Sequence, residues 1–325
     1  MNAPRLDERL VAQLRCDLLT AARRVPTGRQ AIQEWELSTV ERLFFADGSS
    51  VVCKVAARPF TGEATVLRAL NAQGASVPVL HGYAMRPQTL GMLMDDLGEP
   101  VRAATVAEAA AAARRTHAAT GITGLPTFDQ AGLARLPGQA LDALTALRRR
   151  ERFPDSGPIE ELLQRLAAVA PRRADGAERP PFGLCHGEFH RSSLHVTRTG
   201  CRLVDWAKAF TGPGLLDLAT WFGTRTPPQP RLLTRLIRAY VIAGGHPDAE
   251  ADRGGLPATR WALGWHRVWA AWWLLTTTAA GHHRPDTDRH HVQVVLRQLH
   301  GAAQLLGATQ PTSTARPPLE AGSPS

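Results

Sequence analysis

The stretch LCHGEFHRSSLHV and the CRLVDWAKAF that follows, together residues 184–210, constrain this chain more than any other segment. A short apolar lead-in, Phe182-Gly183-Leu184-Cys185, runs into a polar loop from His186 to Ser193. Leu194-His195-Val196 alternates apolar and polar side chains as a strand does, and Thr197 to Gly200 reads as a tight turn. Cys201-Arg202-Leu203-Val204 is a second strand, ending on Asp205-Trp206. A loop followed by a hairpin brings Glu188, Ser193 and Asp205 into one neighbourhood. Two carboxylates and a hydroxyl converging there suit a divalent ion and the orientation of an attacking hydroxyl.

The spacing also carries a resemblance. A carboxylate two residues after a histidine, an oxygen ligand five residues further on and a hairpin ending in aspartate resemble the protein-kinase catalytic core. With Gly187 after the histidine, Trp206 after Asp205 and a helix start at Asp217-Leu218-Ala219, the segment is more similar to the aminoglycoside phosphotransferase and choline kinase family. That family usually reads H-G-D-x-H-x-x-N, then a hairpin to D-W, then D-L-A. Glu188 stands here at the usual aspartate and Ser193 at the usual asparagine.

Upstream, Leu6, Leu10, Leu14 and Leu18 recur at helical spacing, so Leu6 to Arg24 reads as an amphipathic helix. Glu36 to Phe45 reads as a strand, a small polar turn around Ser38-Thr39 and a second strand. Asp47-Gly48 is a turn signal, and Ser50 to Val55 is a third strand carrying Lys54. Thr61 to Asn71 is helical, with Glu63 one turn before Leu67 and able to face the lysine strand. Two further strands, 77–84 and 89–94, end at Asp95-Asp96-Leu97-Gly98. Beyond Gly98 the chain turns Ala-rich and helical, with helices expected at 104–119, 141–152, 159–169, 215–222, 230–243, 258–280 and 288–306. Pro171 to Pro181 reads as a loop, and the Pro/Ser/Thr-rich tail 308–325 reads as disordered.

The resemblance, covering about residues 30–300, implies an α+β, bilobal protein-kinase-like fold. A small antiparallel sheet lobe (1–97, with the N-terminal helix) would carry the nucleotide, and a larger helical lobe (98–307) the catalytic loop and acceptor pocket. It further implies ATP and Mg2+ as cofactors, and transfer of the γ-phosphoryl group to a hydroxyl of a small molecule such as an antibiotic, sugar or amino alcohol. In that scheme Lys54, held by Glu63, meets the α/β-phosphates, with Ser38 and Thr39 over them. Met94, Asp95 and Leu97 lie at the purine, Asp205 and Ser193 hold metal, and Glu188 acts on the acceptor. Two other readings share the fold, a nucleotide-binding pseudokinase and a peptide Ser/Thr kinase. A third, a zinc hydrolase using His186, Glu188 and His190, is disfavoured because Gly187 breaks the helix that an H-E-x-x-H site needs.

Composition narrows the partners. Four scattered cysteines without a C-x-x-C pair suit reduced thiols in a cytoplasmic protein, and MNAPRLDERL has no apolar core of a secretory signal. The most apolar run, 261–280, is interrupted by His266 and Arg267, so no membrane span is expected. Residues 1–97 carry 11 basic and 10 acidic groups, and residues 98–325 carry 27 and 19, without a basic block interleaved with aromatics. Nucleic acid is therefore not an expected partner, and a basic helical lobe disfavours a polycationic antibiotic. Of 38 basic residues only Lys54 and Lys208 are lysine, and both fall inside the motifs. Five tryptophans between Trp261 and Trp273 form a helical stripe that reads as core, with one or two rings available to a substrate.

Overall fold

A computed structural model describes residues 6–309. Five antiparallel strands form one sheet in the order β1-β2-β3-β5-β4: β1 Gly28–Trp35, β2 Ser38–Phe44, β3 Ser50–Ala57, β4 Leu80–Arg86 and β5 Thr89–Asp95. Period-two alternation gives β3 two different faces. Val51, Cys53 and Val55 pack with Leu14, Leu18 and Leu19 of helix α1 (Glu8–Ala21), whose N-terminus Asp7 caps through the Arg9 N–H. Lys54 is on the opposite face, toward helix α2 (Glu63–Ala72), which buries Val66, Leu67 and Leu70 against Leu90, Met92 and Met94.

The second lobe is mainly helical: α3 Val106–His117, α4 Gln130–Arg148, α5 Gly157–Arg173, α6 Leu215–Thr220, α7 Pro230–Ile242, α8 Ala258–Ala279 and α9 Asp288–Leu306. Helices α4, α5, α8 and α9 pack together, while α3 packs on α7. Two short antiparallel ladders lie between the lobes' elements, β6 (Phe182–Cys185) with β9 (Phe210–Pro213) and β7 (Leu194–Thr197) with β8 (Gly200–Leu203). The α+β, two-lobed architecture expected from the sequence is therefore present. Among the described residues no helix is long and apolar enough to cross a membrane.

Four local expectations change. Strand β1 lies upstream of the expected strand pair, and the turn is Glu36-Leu37, so Ser38 and Thr39 begin β2 instead of forming the turn. Every residue of β1 is exposed, because it is an edge strand, and the hydrophobic alternation that marks a strand is weak there. Helix α4 begins eleven residues before the expected Leu141. Gly132, Pro137 and Gly138 hide it in the sequence. A proline inside a helix costs about 3 kcal/mol. Burial of Leu133, Leu136 and Ala140, and an Asp129 cap on the Gly132 N–H at 2.6 Å, work against that cost. Helix α5 likewise runs past Pro171 to Arg173, into the segment expected to be loop. The expected disordered tail does not include Ala308, which is buried and whose N–H meets the Ala303 carbonyl; the rest of that expectation, residues 310–325, lies outside the described residues.

The tryptophan stripe divides. Trp261 and Trp265 are fully buried, and both indole N–H groups donate to the Arg173 carbonyl, at 2.6 and 3.0 Å. Trp272 and Trp273, one turn beyond Trp269, are only half-buried.

Leu133→Ala and Leu136→Ala, both in the part of α4 hidden from the sequence, are each expected to cost about 2–5 kcal/mol in denaturant unfolding. Were 130–140 a surface loop, neither would cost more than about 0.5 kcal/mol. A second expectation concerns pH. Burial in α8, reinforced by neighbouring Arg267, holds the His266 pKa down from 6.5 to about 4. The folded state then binds fewer protons than the unfolded chain between those values, so stability falls as pH drops from 6.5 to about 4. His266→Gln should flatten part of that slope in thermal melts, and an unchanged slope would remove His266 from the account.

Candidate active site

Where β1, β2, β3, the loop before α2, the 186–193 loop and the 205–208 segment meet, they enclose a cavity of about 270 Å3 lined by Ser38, Lys54, Glu188, Asp205 and Lys208, with Trp35 and Phe60 also in its wall. Lys54 sits at its base. Its ammonium lies 2.6 Å from Glu63 Oε2 and 2.7 Å from Asp205 Oδ1. Asp205 stands 151 residues away in sequence. Burial alone would lower the lysine pKa, but the two carboxylates reverse that and hold it above the free value. Burial pushes the Glu63 carboxyl upward, while Lys54 and the Trp206 N–H at 3.1 Å pull it back.

Asp205 terminates the β7–β8 hairpin in a left-handed conformation, φ 68°. The Leu203 N–H bonds to the Ser76 carbonyl before β4, so the hairpin is tied to the sheet lobe. About half of the Asp205 side-chain surface is open. Desolvation is the largest single influence and pushes its carboxyl up, but the charge and hydrogen bond of Lys54 outweigh it and hold the carboxyl below the usual carboxylate range. Its Oδ1 meets Lys54, and Oδ2 accepts from no described residue.

The loop that carries Glu188 is fixed from behind. Asp217, fully buried at the start of α6, accepts the His186 N–H at 2.6 Å and the Gly187 N–H at 2.9 Å and so anchors the loop. Burial drives the His186 pKa down, which leaves the ring neutral. Its Nε2–H donates to the Val204 carbonyl at 2.9 Å, and its Nδ1 accepts the Glu188 N–H at 3.2 Å. With one nitrogen engaged inside the loop and the other on the hairpin end at Val204, His186 braces the loop and has none left for zinc. His117 and Cys185 flank Asp217, and burial raises the Cys185 pKa well above its ordinary value, so it remains a thiol. At Gly187 the backbone turns at φ 82°, and a methyl group there would run into the Lys208 carbonyl.

Glu188 projects into the cavity, where Lys208 Nζ lies 2.6 Å from its Oε1. The Lys208 ammonium also lies 5.1 Å from the centre of the Trp273 ring and 5.9 Å from that of Phe60. Beyond Lys208 a second cavity opens, lined largely by Leu125, Phe128, Phe210, Trp269, Trp272 and Trp273.

The expected site residues are thus only partly assembled. Lys54, Glu63, Asp205, Glu188 and Ser38 converge. Thr39 does not, because alternation along β2 turns it to the other face, toward Arg15 and Glu41. Ser193 is buried behind the loop, its hydroxyl donating to the Glu188 carbonyl at 2.7 Å and lying 2.9 Å from His190 Nδ1. Met94, Asp95 and Leu97 lie where β5 leaves the sheet and do not line the cavity. Asp95 there accepts the Val79 N–H at 3.1 Å. Gln33, Trp35 and Phe60 line the cavity without having been anticipated. Trp35 belongs to the unrecognised edge strand, and the only sequence signal for it was an aromatic ring beside the expected turn.

A sequence profile of the phosphotransferase enzyme family (APH) matches residues 33–253. Comparison with curated protein sequences finds no match. Among solved structures, the chain is similar to a choline/ethanolamine kinase family protein from Mesorhizobium loti (16% identity, 93% of this chain and 98% of that one, TM-score 0.63). It is also similar to amicoumacin kinase hAmiN, solved with AMP-PNP, Ca2+ and Ami (13% identity, 90% and 93%, TM-score 0.61). A third is macrolide 2'-phosphotransferase MphH from Brachybacterium faecium (18% identity, 88% and 97%, TM-score 0.56). At these identities the likeness establishes a kinase-like fold.

Gly187→Ala should destabilise the protein by about 1–3 kcal/mol in denaturant unfolding, because the left-handed backbone and the Lys208 carbonyl both resist a side chain. Gly138→Ala, in the α4 interior with open space around it, is the control and should stabilise by about 0.5–1 kcal/mol. Equal effects at the two positions would contradict the loop geometry.

Proposed function

Because this chain belongs to the phosphotransferase enzyme family, we propose that it transfers the γ-phosphoryl group of ATP to a hydroxyl of a small molecule. The observation that carries the reading is the meeting of Lys54, Asp205 and Glu188 in one cleft from three separate elements. In this scheme Lys54, fixed by Glu63, contacts the α/β-phosphates, and Ser38 lies over them from the start of β2. The Met94–Leu97 link is the purine side, as in the family resemblance.

Magnesium fits the donor set at Asp205, which lines the cleft and whose Oδ2 accepts from no described residue, and less well at Ser193, whose hydroxyl is committed to the loop. A magnesium ion held by Asp205 would supply neutralisation of phosphate charge and polarisation of the γ-phosphoryl group. Glu188 accepts the proton of the acceptor hydroxyl, and the rigid loop behind it fixes the direction from which that hydroxyl attacks. The aromatic cavity beside Lys208 supports a small acceptor with an apolar body over a polycation, since its lining has no carboxylate to take an ammonium.

One observation favours a second reading. A buried serine hydroxyl already bonded to its own loop is a weak second metal ligand, which suits a pseudokinase that binds nucleotide and turns over slowly or not at all. Nucleotide-dependent melting and a phosphate-release assay separate the two. The phosphotransferase reading expects Mg-ATP both to stabilise the protein and to be consumed, with Asp205→Asn lowering turnover at least about 10²-fold. Stabilisation without consumption would favour the pseudokinase, and absence of both would end the nucleotide reading.

A further inference from the structure

Both lysines of this arginine-rich chain line the same cavity, although they are 154 positions apart in a sequence with 38 basic residues. Lys54 is committed to two carboxylates at the cavity base. Lys208 has no such commitment to the fold. Its partner is Glu188, and its ammonium lies 5.1 Å from the Trp273 ring centre and 5.9 Å from that of Phe60, at the border with the aromatic cavity. We propose that Lys208 is a second phosphate-binding residue, which holds the terminal phosphoryl group as it passes from nucleotide to acceptor. The inference rests on the phosphotransferase reading above.

The argument is one of reach and charge. Glu188 faces the acceptor hydroxyl, and that hydroxyl attacks the γ-phosphorus, so an ammonium 2.6 Å from the Glu188 carboxylate is within a side chain's length of the reacting atoms. In the transfer, a new bond forms between the acceptor oxygen and phosphorus. The bond from phosphorus to the bridging oxygen breaks, its electron pair leaving with ADP, and the hydroxyl proton passes to Glu188. Protonation removes the charge that held Lys208, and the nearest new anion is the transferred phosphate. A compact ammonium pivots between those two partners on its flexible stem. A guanidinium requires a flat, two-point acceptor and is bulkier against the Trp273 ring. That difference gives a reason for lysine here in a chain that otherwise uses arginine.

Calorimetric titration of the full chain with Mg-ATP and Mg-ADP tests this without knowing the acceptor. Lys208→Met keeps an unbranched side chain of similar length and removes the charge. It should weaken ATP binding by about 10- to 100-fold, the loss of one charge-assisted contact to the γ-phosphate, and leave ADP binding within about twofold. A freed Glu188 carboxylate would also repel ATP, so the comparison is repeated in a Glu188→Gln background. Direct contact expects the selective ATP loss to persist there, with partial recovery in Lys208→Arg. Equal loss of ATP and ADP, or disappearance of the effect in the Glu188→Gln background, would reduce Lys208 to a neutralising partner of Glu188 and overturn the proposal. Failure of the phosphotransferase reading itself has a separate signature, a wild-type protein that binds neither nucleotide.

Discussion

A buried ammonium shared by two carboxylates is the interaction on which the rest of this architecture depends. Desolvating a lysine costs several kcal/mol, and Lys54 is tolerated on β3 only because Glu63 and Asp205 both reach it. Those three groups come from a strand, a helix and the end of a hairpin in the other part of the chain. Each element is therefore held in place by a charge that would be stranded without it. The Trp206 N–H on Glu63 and the Leu203 N–H on Ser76 extend the same linkage through the backbone. The geometry of the cleft is a by-product of satisfying one cation.

The opposite wall is built on a different principle. The 186–193 loop is fixed by two backbone N–H groups that converge on the carboxylate of Asp217, which is hidden from solvent. His186 contributes both ring nitrogens, and Gly187 supplies a backbone turn that leaves no room for a side chain. A stiff loop with Glu188 at its front is what directed proton acceptance needs. The same stiffness accounts for Ser193, whose hydroxyl completes the internal bonding of the loop and has little freedom to serve a metal.

Much of the fold was legible because it follows from periodicity. The Leu6–Leu18 spacing, the apolar run on β3 and the long α8 and α9 patterns each require one face to be buried, and the structure buries them. The elements that escaped are those in which tertiary packing overrides local preference. An exposed edge strand has no apolar face to display, a proline-bearing helix start is stabilised only by what it packs against, and β9 is a four-residue partner for β6. In the candidate site, order and spacing sufficed for Lys54, Glu63, Glu188 and Asp205. Thr39 was misassigned because a two-residue shift of the turn placed it in a strand, and strand alternation then sent it to the far face.

The sequence by itself determined which residues are chemically able to act: a rare lysine on a strand, a glutamate on the next helix, a loop carrying Glu188 and a hairpin that ends at Asp205. Spacing along the chain is enough for that, since local geometry follows from the number of residues between groups. Only the tertiary structure decided which of them share a cleft. It turned Ser193 inward and Thr39 away, and it set Lys208 against Glu188. Those outcomes depend on through-space hydrogen bonding, burial and the packing of the Trp273 and Phe60 rings, which no one-dimensional pattern encodes.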